Sequence, residues 1–507
     1  MRTFIKTLPA RLGCHSSGTA HNPVVRHLRV IGGLAECPGC GLYQHVPELQ
    51  PGQLATCPRC GQHLQRRRRT APLAAPLAFC ISSAAFYLAA LASSLMTLNV
   101  YGRERTVDLL TGPMELMHEG WGEAGLLVGA VTIMAPAVAI GLMFAILYAG
   151  TRPTLPNWAP GILIWYEKLR PWSMVEVYIL GIFVAYTKLT DMAHVDVGPA
   201  VYLIGGLMLT MAVSDSTLDT ERIWKHRPVD SLTRMDDGAV VEIAHVHVDD
   251  VGMPPVERLV ACPSCGLVGE MEHPVSNLRC VGACPRCGHS VWRRAPESLT
   301  RTTAYLIAAV VFYIPANLYP VMTFMRMGGG SGHTIIEGAL ELWSDGMIPL
   351  SLLVFFASIT VPMLKIASLA TMVIMTWRGS RRGLAQRTRL FRVVDMVGRW
   401  SMIDVFMISI LVAVVRFNAM ATVTANAGMV AFAAVVVLTL FAAWSFDPRI
   451  MWDAAGMNGR LVDGLPRAVL KMHDTDTDTD TAQGPSRPAQ TSAAAPRPAA
   501  NMEPNQA

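Results

Sequence analysis

The sequence predicts a mainly α-helical polytopic membrane protein built as two tandem repeats, each a small four-cysteine zinc ribbon followed by a four-helix transmembrane unit. Three observations predict this fold: the composition, a repeated cysteine motif and an internal duplication. Of the 507 residues, 52% are hydrophobic and 16% are charged, whereas soluble domains carry about 25% charged residues. This composition excludes disordered, collagen-like and coiled-coil proteins and disfavours an ordinary cytosolic enzyme. The formal net charge of +5 gives no argument for nucleic-acid binding.

The first element of each repeat is expected to be the ribbon. Eight of the 11 cysteines lie in four copies of Cys-Pro-x-Cys-Gly, with 16 residues between the first two pairs and 18 between the second two. Proline and glycine turn the backbone tightly, so that both thiolates of a pair point at one centre, and two pairs complete a tetrahedral site. Such short segments need the metal in order to fold. Zinc is expected, and rubredoxin-type iron stays open as an alternative. The expected ligands are Cys37, Cys40, Cys57 and Cys60 in a ribbon at 31–69, and Cys262, Cys265, Cys284 and Cys287 in a ribbon at 257–295.

The membrane units follow from eight apolar stretches that are long enough, at about 1.5 Å per residue, to cross a hydrocarbon core of about 30 Å. They form a first four-span unit at 77–215 and a second at 302–446. A flexible arm (1–30), a cytoplasmic linker (216–256) and a largely disordered tail (447–507) complete the expected organisation. The expected spans are 77–99, 124–149, 172–190, 198–215, 302–325, 347–377, 400–417 and 427–446.

Arginine and lysine in the short loops predict the orientation. Arg66 to Arg69 precede the first span, and the loop 378–399 is rich in arginine, whereas the opposite loops offer only Arg103, Arg105 and Arg326. Both termini and both ribbons are therefore expected on the cytoplasmic side. We expect the arginines to rest on anionic lipid headgroups rather than on nucleic acid.

The two halves of the chain match each other at offsets of 225 to 228 residues. The Gly-x-x-Glu-Leu motif that contains Glu115 recurs around Glu341, and Trp172-Ser-Met recurs as Trp400-Ser-Met. Because each unit has an even number of spans, both units should keep the same orientation, as in transporters with parallel repeats.

The second membrane unit carries the polar groups that we expect to work. Ionisable residues inside spans are costly and usually face protein or water. Lys365 lies within a span beside Pro362, whereas its first-half counterpart is Ala139. Asn317 lies in a segment that we expect to be broken by two prolines, which would expose backbone polar groups to a cavity. The candidate transport path therefore comprises Lys365, Asn317, Asp404, Glu341, Pro315, Pro320, Pro362 and Arg416. Asp404 or Glu341 is expected to pair with Lys365 when the path is empty.

With this organisation the chain resembles the paraquat-inducible protein A (PqiA) family of Gram-negative inner membranes. The resemblance rests on the four Cys-Pro-x-Cys-Gly motifs and on four segments of the second half, and it covers about residues 31–450. These segments are Pro315-Ala-Asn-Leu-Tyr-Pro320, Glu341-Leu-Trp343, Val361-Pro-Met-Leu-Lys365 and Trp400-Ser-Met-x-Asp404. It implies a protein that works beside a periplasmic MCE-domain tunnel, into which it loads phospholipid or from which it receives phospholipid.

The leading hypothesis is accordingly a non-enzymatic lipid transport subunit that supports envelope integrity. Lys365, with Asn317 and Asp404, would contact the headgroup, because lysine suits a phosphate as a point charge. A proton- or ion-coupled small-solute transporter is the first alternative, and a membrane redox or metal sensor that uses the cysteine pairs is the second.

Overall fold

The computed structural model describes most of the chain between residues 27 and 472. The described residues are 27–67, 73–100, 103–153, 155–190, 194–218, 220–225, 227, 229, 232–234, 240–275, 280–326, 329–344, 346–414, 421–457, 459 and 466–472. Most of the expected arm, the tail beyond 472 and Arg416 lie outside the described residues.

The first ribbon is built from short strands. Its strands are β1 (His27–Gly32), β2 (Leu34–Glu36), β3 (Tyr43–His45), β4 (Gln53–Thr56) and β5 (His63–Arg66). β2 pairs with β3 and β4 with β5, each as an antiparallel hairpin. Gly41 and Gly61, which end the two cysteine motifs, have φ angles of +68° and +70°. This left-handed conformation favours glycine, and it explains why each pair of cysteines needs a following glycine.

In the described residues, the first membrane unit contains six helices and a small sheet. In chain order they are α1 (Ala74–Leu91), β6 (Ser94–Val100), β7 (Arg103–Asp108), α2 (Thr111–His118), α3 (Gly122–Gly150), α4 (Ala159–Leu169), α5 (Val175–Thr190), β8 (His194–Val197) and α6 (Pro199–Thr217). Helix α3 contains a π-helical turn at Ala130–Met134. A 3₁₀ turn at Arg170–Trp172 joins α4 to the segment that leads into α5.

The segment between the membrane units carries the second ribbon. Its elements are α7 (Thr220–Lys225), β9 (Leu232–Arg234), β10 (Val240–His247), α8 (Val248–Val251), β11 (Leu259–Ala261), β12 (Val268–Glu270), β13 (Cys280–Ala283) and β14 (Ser290–Trp292), with a 3₁₀ turn at Val256–Arg258. The range expected to be a linker is therefore largely folded, since β10 pairs in parallel with β1. A pairing between strands so far apart in the chain leaves no local signal.

The second membrane unit repeats the first. It contains α9 (Ser298–Leu318), β15 (Met322–Arg326), β16 (Gly329–His333), α10 (Ile335–Ser344), α11 (Ile348–Phe355 and Val361–Trp377), α12 (Leu384–Val397), α13 (Ile403–Val414), β17 (Ala421–Ala425) and α14 (Ala427–Ser445). A π-helical turn at Phe356–Thr360 joins the two parts of α11, at the position that matches the π-helical turn of α3. A 3₁₀ turn at Gly398–Met402 joins α12 to α13. The predicted tandem architecture is confirmed.

Each membrane unit also carries a three-stranded antiparallel sheet that the sequence analysis missed. The sheet orders are β7-β6-β8 and β16-β15-β17. They lie at the helix ends opposite the ribbons, because α1 and α9 each run from a ribbon to a sheet. The expected spans 77–99 and 302–325 are wrong at their ends, since the helices stop at Leu91 and Leu318 and the rest of each apolar run forms a strand.

The centre of the molecule is a pair of short helices, one from each unit. Among the described residues, seven helical stretches are long and apolar enough to cross a membrane. The remaining expected span became α5, with 16 residues. Helix α5 packs against α13, where the rings of Tyr178 and Phe406 lie 5.5 Å apart. A Cβ atom at Gly181 would lie 3.0 Å from the Cβ atom of Phe406. The described side chains of α13 are buried, whereas Phe183 on α5 is 56% exposed.

The two ribbons share one sheet, and the first ribbon packs on the membrane unit of the other repeat. One five-stranded sheet has the order β11-β12-β1-β10-β9 and therefore contains strands from both ribbons. The first ribbon packs on the second membrane unit: the guanidinium of Arg392 on α12 donates to the carbonyl of Cys60 at 2.8 Å, and Arg59 stacks 4.4 Å from the ring of Trp452.

Part of the segment expected to be a disordered tail is folded. A helix, α15 (Arg449–Ala454), follows α14, and a strand, β18 (Val469–Met472), pairs antiparallel with β4 of the first ribbon. The strand forms because β4 offers an unpaired edge, which is again a long-range effect.

Candidate functional site

Two cysteine clusters form the candidate metal centres. The structure brings together Cys37, Cys40, Cys57 and Cys60 in the first ribbon, and Cys262, Cys265, Cys284 and Cys287 in the second, as the sequence predicts. Within each group all four sulfur atoms lie within 4.8 Å of one another. Three of the four residues in the second group and all four in the first are buried.

The geometry of both clusters fits a metal ion. The distances between sulfur atoms are 3.5 Å for Cys37–Cys60 and 3.6 Å for Cys40–Cys57, and both short distances in the second cluster are 3.5 Å. A tetrahedral zinc ion with Zn–S bonds of about 2.3 Å places its sulfur ligands about 3.8 Å apart. Sulfurs this close without an S–S bond would repel one another as thiolates, and a bound cation removes that repulsion.

A buried ion network fastens the two ribbons to each other and to the end of α14. The guanidinium of Arg294, in the second ribbon, donates to Glu36 of the first ribbon at 2.8 Å and to Asp453 of α15 at 2.6 Å. Arg449 donates to the other oxygen of Glu36 at 3.2 Å and to Asp447 at 2.9 Å. The side chains of Arg294 and Glu36 are 3% and 4% exposed, so water cannot take the place of either partner if the other is removed.

Electrostatics within this network favours the charged forms. Burial opposes the charge of Arg294, but the hydrogen bond with Asp453 and the field of Glu36 outweigh it and raise the pKa of the guanidinium. Burial likewise opposes ionisation of Asp447, but Arg449 and the backbone N–H of Ala295 outweigh it and lower the pKa of that carboxyl. The network therefore stays ionised at neutral pH.

Lys365 is the central polar group of the second membrane unit. Its side chain belongs to α11 and is 1% exposed. The ammonium donates to the carbonyl oxygen of Gly398 at 3.3 Å and to the hydroxyl of Thr439 on α14 at 3.2 Å. A Cβ atom at Gly398 would lie 2.5 Å from Cε of Lys365, so a side chain there would displace the end of the lysine from its present position. Asp395, which the sequence analysis did not single out, acts electrostatically on this ammonium.

The prolines and Asn317 lie towards the sheet end of the unit. Helix α9 continues through Pro315 to Leu318 and stops before Pro320, so the expectation of a break at both prolines is wrong at Pro315. The side-chain amide of Asn317 donates to the carbonyl of Tyr313 in its own helix at 2.8 Å. The carbonyl that Pro315 leaves without a backbone donor is that of Val311, four residues earlier, so the bond from Asn317 is an additional contact within the helix. Lys365 and Asn317 therefore bond to separate partners.

The remaining path residues occupy three different places. Pro362 is buried at the start of the α-helical part of α11, directly after the π-helical turn. Turns of this type are frequent at functional sites. Glu341 is exposed on α10. Asp404 is the second residue of α13, and neither its side chain nor Arg416 belongs to the described part of the chain.

The comparison with known families decides the relationship of the chain. The family model "Paraquat-inducible protein A" matches residues 73–227 and 299–456, which together exceed half of the chain and contain both membrane units. The chain belongs to the paraquat-inducible protein A family. The resemblance inferred from the cysteine, proline and lysine motifs is confirmed.

Curated relatives cover nearly the same length. Intermembrane transport protein PqiA of Escherichia coli (strain K12) is 29% identical over 423 residues, which make up 82% of this chain and 95% of that protein. Lipophilic envelope-spanning tunnel protein A of the same strain is 29% identical over 424 residues, 83% of this chain and 92% of that protein. A probable intermembrane transport protein of Haemophilus influenzae (strain ATCC 51907 / DSM 11121 / KW20 / Rd) is 23% identical over 422 residues. No solved structure matches the chain.

Sequence reasoning missed the partners of Lys365 and the ion network. Thr439 and Gly398 lie 74 and 33 residues from Lys365. Nothing in their local sequence distinguishes them from packing residues. Arg449 gave a weak signal, since it follows a span closely and comes directly after Asp447-Pro448.

Proposed function

We propose that the protein is the inner-membrane subunit of an intermembrane phospholipid transport system in a Gram-negative bacterium. It would load lipid into, or receive lipid from, a periplasmic tunnel formed by an MCE-domain protein, and it would thereby support envelope integrity. Family membership over both membrane units supports this proposal, as do the names of its relatives, which describe intermembrane transport and an envelope-spanning tunnel. In the proposed orientation the ribbons and both termini are cytoplasmic, and the two small sheets face the periplasm.

The observation that carries the proposal is the burial of Lys365. An ammonium inside a membrane protein is costly to keep, and the matching position of the first unit is Ala139, so the fold does not require it. The hydrogen bonds of Lys365 go to two neutral oxygens. Asp395 acts electrostatically on the same ammonium, and a phosphate, the anion of a phospholipid headgroup, would compete with it for the positive charge.

The route from Lys365 to the sheet end would use the remaining path residues. Asn317, Pro315 and Pro320 lie at the end of α9 that adjoins the sheet. Leu318 and Phe312 on the same helix are exposed, which suits contact with acyl chains. Glu341 on α10 would line the outer mouth. Asp404 and Arg416 remain candidates for the same route.

Each ribbon would hold one zinc ion, and together the ribbons would stabilise the cytoplasmic ends of the membrane helices. A site with four cysteine ligands is closed and structural, which favours bracing over redox sensing. The ion network through Arg294 and Glu36 would transmit the position of the ribbons to α14, which carries Thr439. The sequence has no nucleotide-binding glycine loop, so energy would come from a proton gradient or from another protein.

The test replaces Lys365 with methionine, which keeps the length of the side chain and removes its charge. Cells that depend on this protein should lose resistance to envelope stress, whereas the purified variant should keep its metal content and thermal stability, because replacing a buried charge by an apolar group of similar volume is often neutral. Lys168→Met is the matched control, since Lys168 is exposed on α4 and should be dispensable. Unchanged stress resistance in the folded Lys365→Met variant would refute the proposal.

A further inference from the structure

The first membrane unit contains a cavity that the proposed path does not use. Its volume is about 380 Å³, which lies within the range of about 300–1,000 Å³ usual for ligand pockets. It opens between α3, the α4–α5 connection and α6 of the first unit, and Asp395, Leu440 and Trp444 of the second unit close its rim.

The repeat explains why this cavity exists. Ala139, Arg170 and Met211 line it, and at offsets of 226 and 228 residues they correspond to Lys365, Gly398 and Thr439. Those three residues form the contact between the ammonium of Lys365 and its two oxygen partners. In the second unit a lysine side chain therefore occupies the place that alanine leaves open in the first.

The walls of the cavity suit a cation. Glu176 contributes a carboxylate, and Trp172 and Trp444 pack edge to face, with ring centroids 5.7 Å apart. Asp215 and Asp395 also line the cavity, but Asp215 pairs with Arg170 and Asp395 acts on Lys365. An ammonium binds favourably against the face of tryptophan. The buried hydroxyl of Ser173 has no hydrogen-bond partner among the residues that the structure describes, so the wall also offers an unused polar atom.

The guanidinium of Arg170 lies at the rim of the cavity, and a hydrogen bond orients it. The Nε atom of Arg170 donates to Asp215 at 2.7 Å, and the hydroxyl of Tyr166 donates to the same carboxylate. This pairing occupies one edge of the guanidinium and leaves its other donors for a second acceptor. A phosphate is a good acceptor for such donors.

We propose that this cavity binds the headgroup of a zwitterionic phospholipid that carries a primary ammonium. The ammonium takes the place held by the Lys365 side chain in the second unit, between the tryptophans and Glu176. Arg170 binds the phosphate, and Met208 and Met211 contact the start of the acyl region. The inference rests on the proposed function in that the ligand is a lipid, and it adds a second, headgroup-selective site.

The test places a photoreactive diazirine amino acid at position 211 of the full chain, in vesicles that contain radiolabelled phosphatidylethanolamine or phosphatidylglycerol. We expect about tenfold more adduct with the amine lipid, the factor that a cation–π contact and an adjacent carboxylate supply. Ala139→Lys should abolish the preference because its ammonium fills the cavity, and Ala139→Ser, which stays small and neutral, should keep it. Glu176→Gln, on an exposed position, should weaken the preference even if Ala139→Lys fails to fold.

Three outcomes would overturn the inference. They are equal labelling by the two lipids, a preference that survives both Ala139→Lys and Glu176→Gln, and full displacement of the adduct by free phosphoethanolamine, which would identify a soluble amine as the ligand. A parallel diazirine at position 365 separates this inference from the proposed function. Lipid adducts at 365 without selectivity at 211 would refute only the second site, whereas no lipid adduct at either position would refute lipid transport itself.

Discussion

Replacement of Arg294 by methionine should release the two ribbons from each other. The variant loses the hydrogen bonds of Arg294 to Glu36 at 2.8 Å and to Asp453 at 2.6 and 3.1 Å. The side chains of Glu36 and Asp453 are 4% and 13% exposed, so water cannot fully replace the lost donors. Removing one partner of a buried ion pair costs about 3–5 kcal/mol. Arg449 still contacts Glu36, so the expected cost is about 3 kcal/mol.

This free-energy cost shifts the equilibrium between the closed and open forms of the ribbon interface towards the open form. Each 1.4 kcal/mol is about a factor of ten, so about 3 kcal/mol raises the open population by about two orders of magnitude. Strands β1 and β12 pair across the two ribbons, and their amide hydrogens should exchange faster by the same factor. Hydrogen–deuterium exchange of the purified protein in lipid nanodiscs measures this, with peptides from α5 and α13 as an internal reference.

Arg301→Met is the matched control, because Arg301 pairs with Glu297 at 3.5 Å while both side chains are more than half exposed. An exposed pair of this kind is worth about 0–1 kcal/mol, so its exchange should stay close to that of the unmodified protein. If Arg294→Met exchanged no faster than Arg301→Met at β1 and β12, the network would not hold the ribbons together and the reasoning would fail.

Three further predictions concern the metal, the pH dependence and the centre of the molecule. Chelation should remove two metal ions per chain, measured by mass spectrometry, and should unfold both ribbons while the membrane helices persist, because small four-cysteine sites supply the folding energy of their domains. Asp447 has a lowered pKa, so its stabilisation is complete above the unfolded value of about 3.9 and is lost as the pH falls through the lower folded value. The protection factors of the ribbon amides, which correct exchange for its intrinsic pH dependence, should be flat between pH 8 and 5 and should lose this contribution only in stronger acid. Gly181→Leu should destabilise the packing of α5 on α13 by about 1–3 kcal/mol, measured by thermal unfolding, because a Cβ atom there already meets Phe406 at 3.0 Å. Gly141→Leu, where a Cβ atom would meet nothing within 4 Å, should leave the melting temperature unchanged.

The two cysteine clusters and the duplication could be read from the sequence because their signals are local. Each Cys-Pro-x-Cys-Gly motif specifies its own turn, and Gly41 and Gly61 adopt the left-handed conformation that the motif demands. Similar segments at a constant offset gave the repeat without any knowledge of packing.

The small sheets could not be read because their strands continue the apolar runs of α1 and α9. In β6 the residues Leu95, Met96 and Leu98 are all buried, so the segment lacks the strict alternation that would separate a strand from a span. The crossed packing of the first ribbon on the second membrane unit depends on contacts between distant residues, such as Arg392 with Cys60.

The candidate transport path stays a prediction. Lys365 was found because a charge in an apolar run is conspicuous, and the structure buries its side chain. Its partners Gly398 and Thr439 carry no charge and no local motif, so they became visible only in three dimensions. The cavity around Ala139 was overlooked because an alanine in a membrane helix gives no signal, and only its correspondence with Lys365 gives it meaning.

Crosslinking from position 365 in living cells tests the central claim most directly. A photoreactive amino acid at 365, in cells grown with radiolabelled phosphate, is compared with the same group at position 307, since Ile307 on α9 is 61% exposed and faces bulk lipid. A phospholipid adduct at 365 that exceeds the adduct at 307, in a protein that retains its two metal ions, is the result that lipid transport through the second unit predicts. Adduct at 307 with none at 365 in the folded protein would contradict it and would favour an ion-coupled role for Lys365.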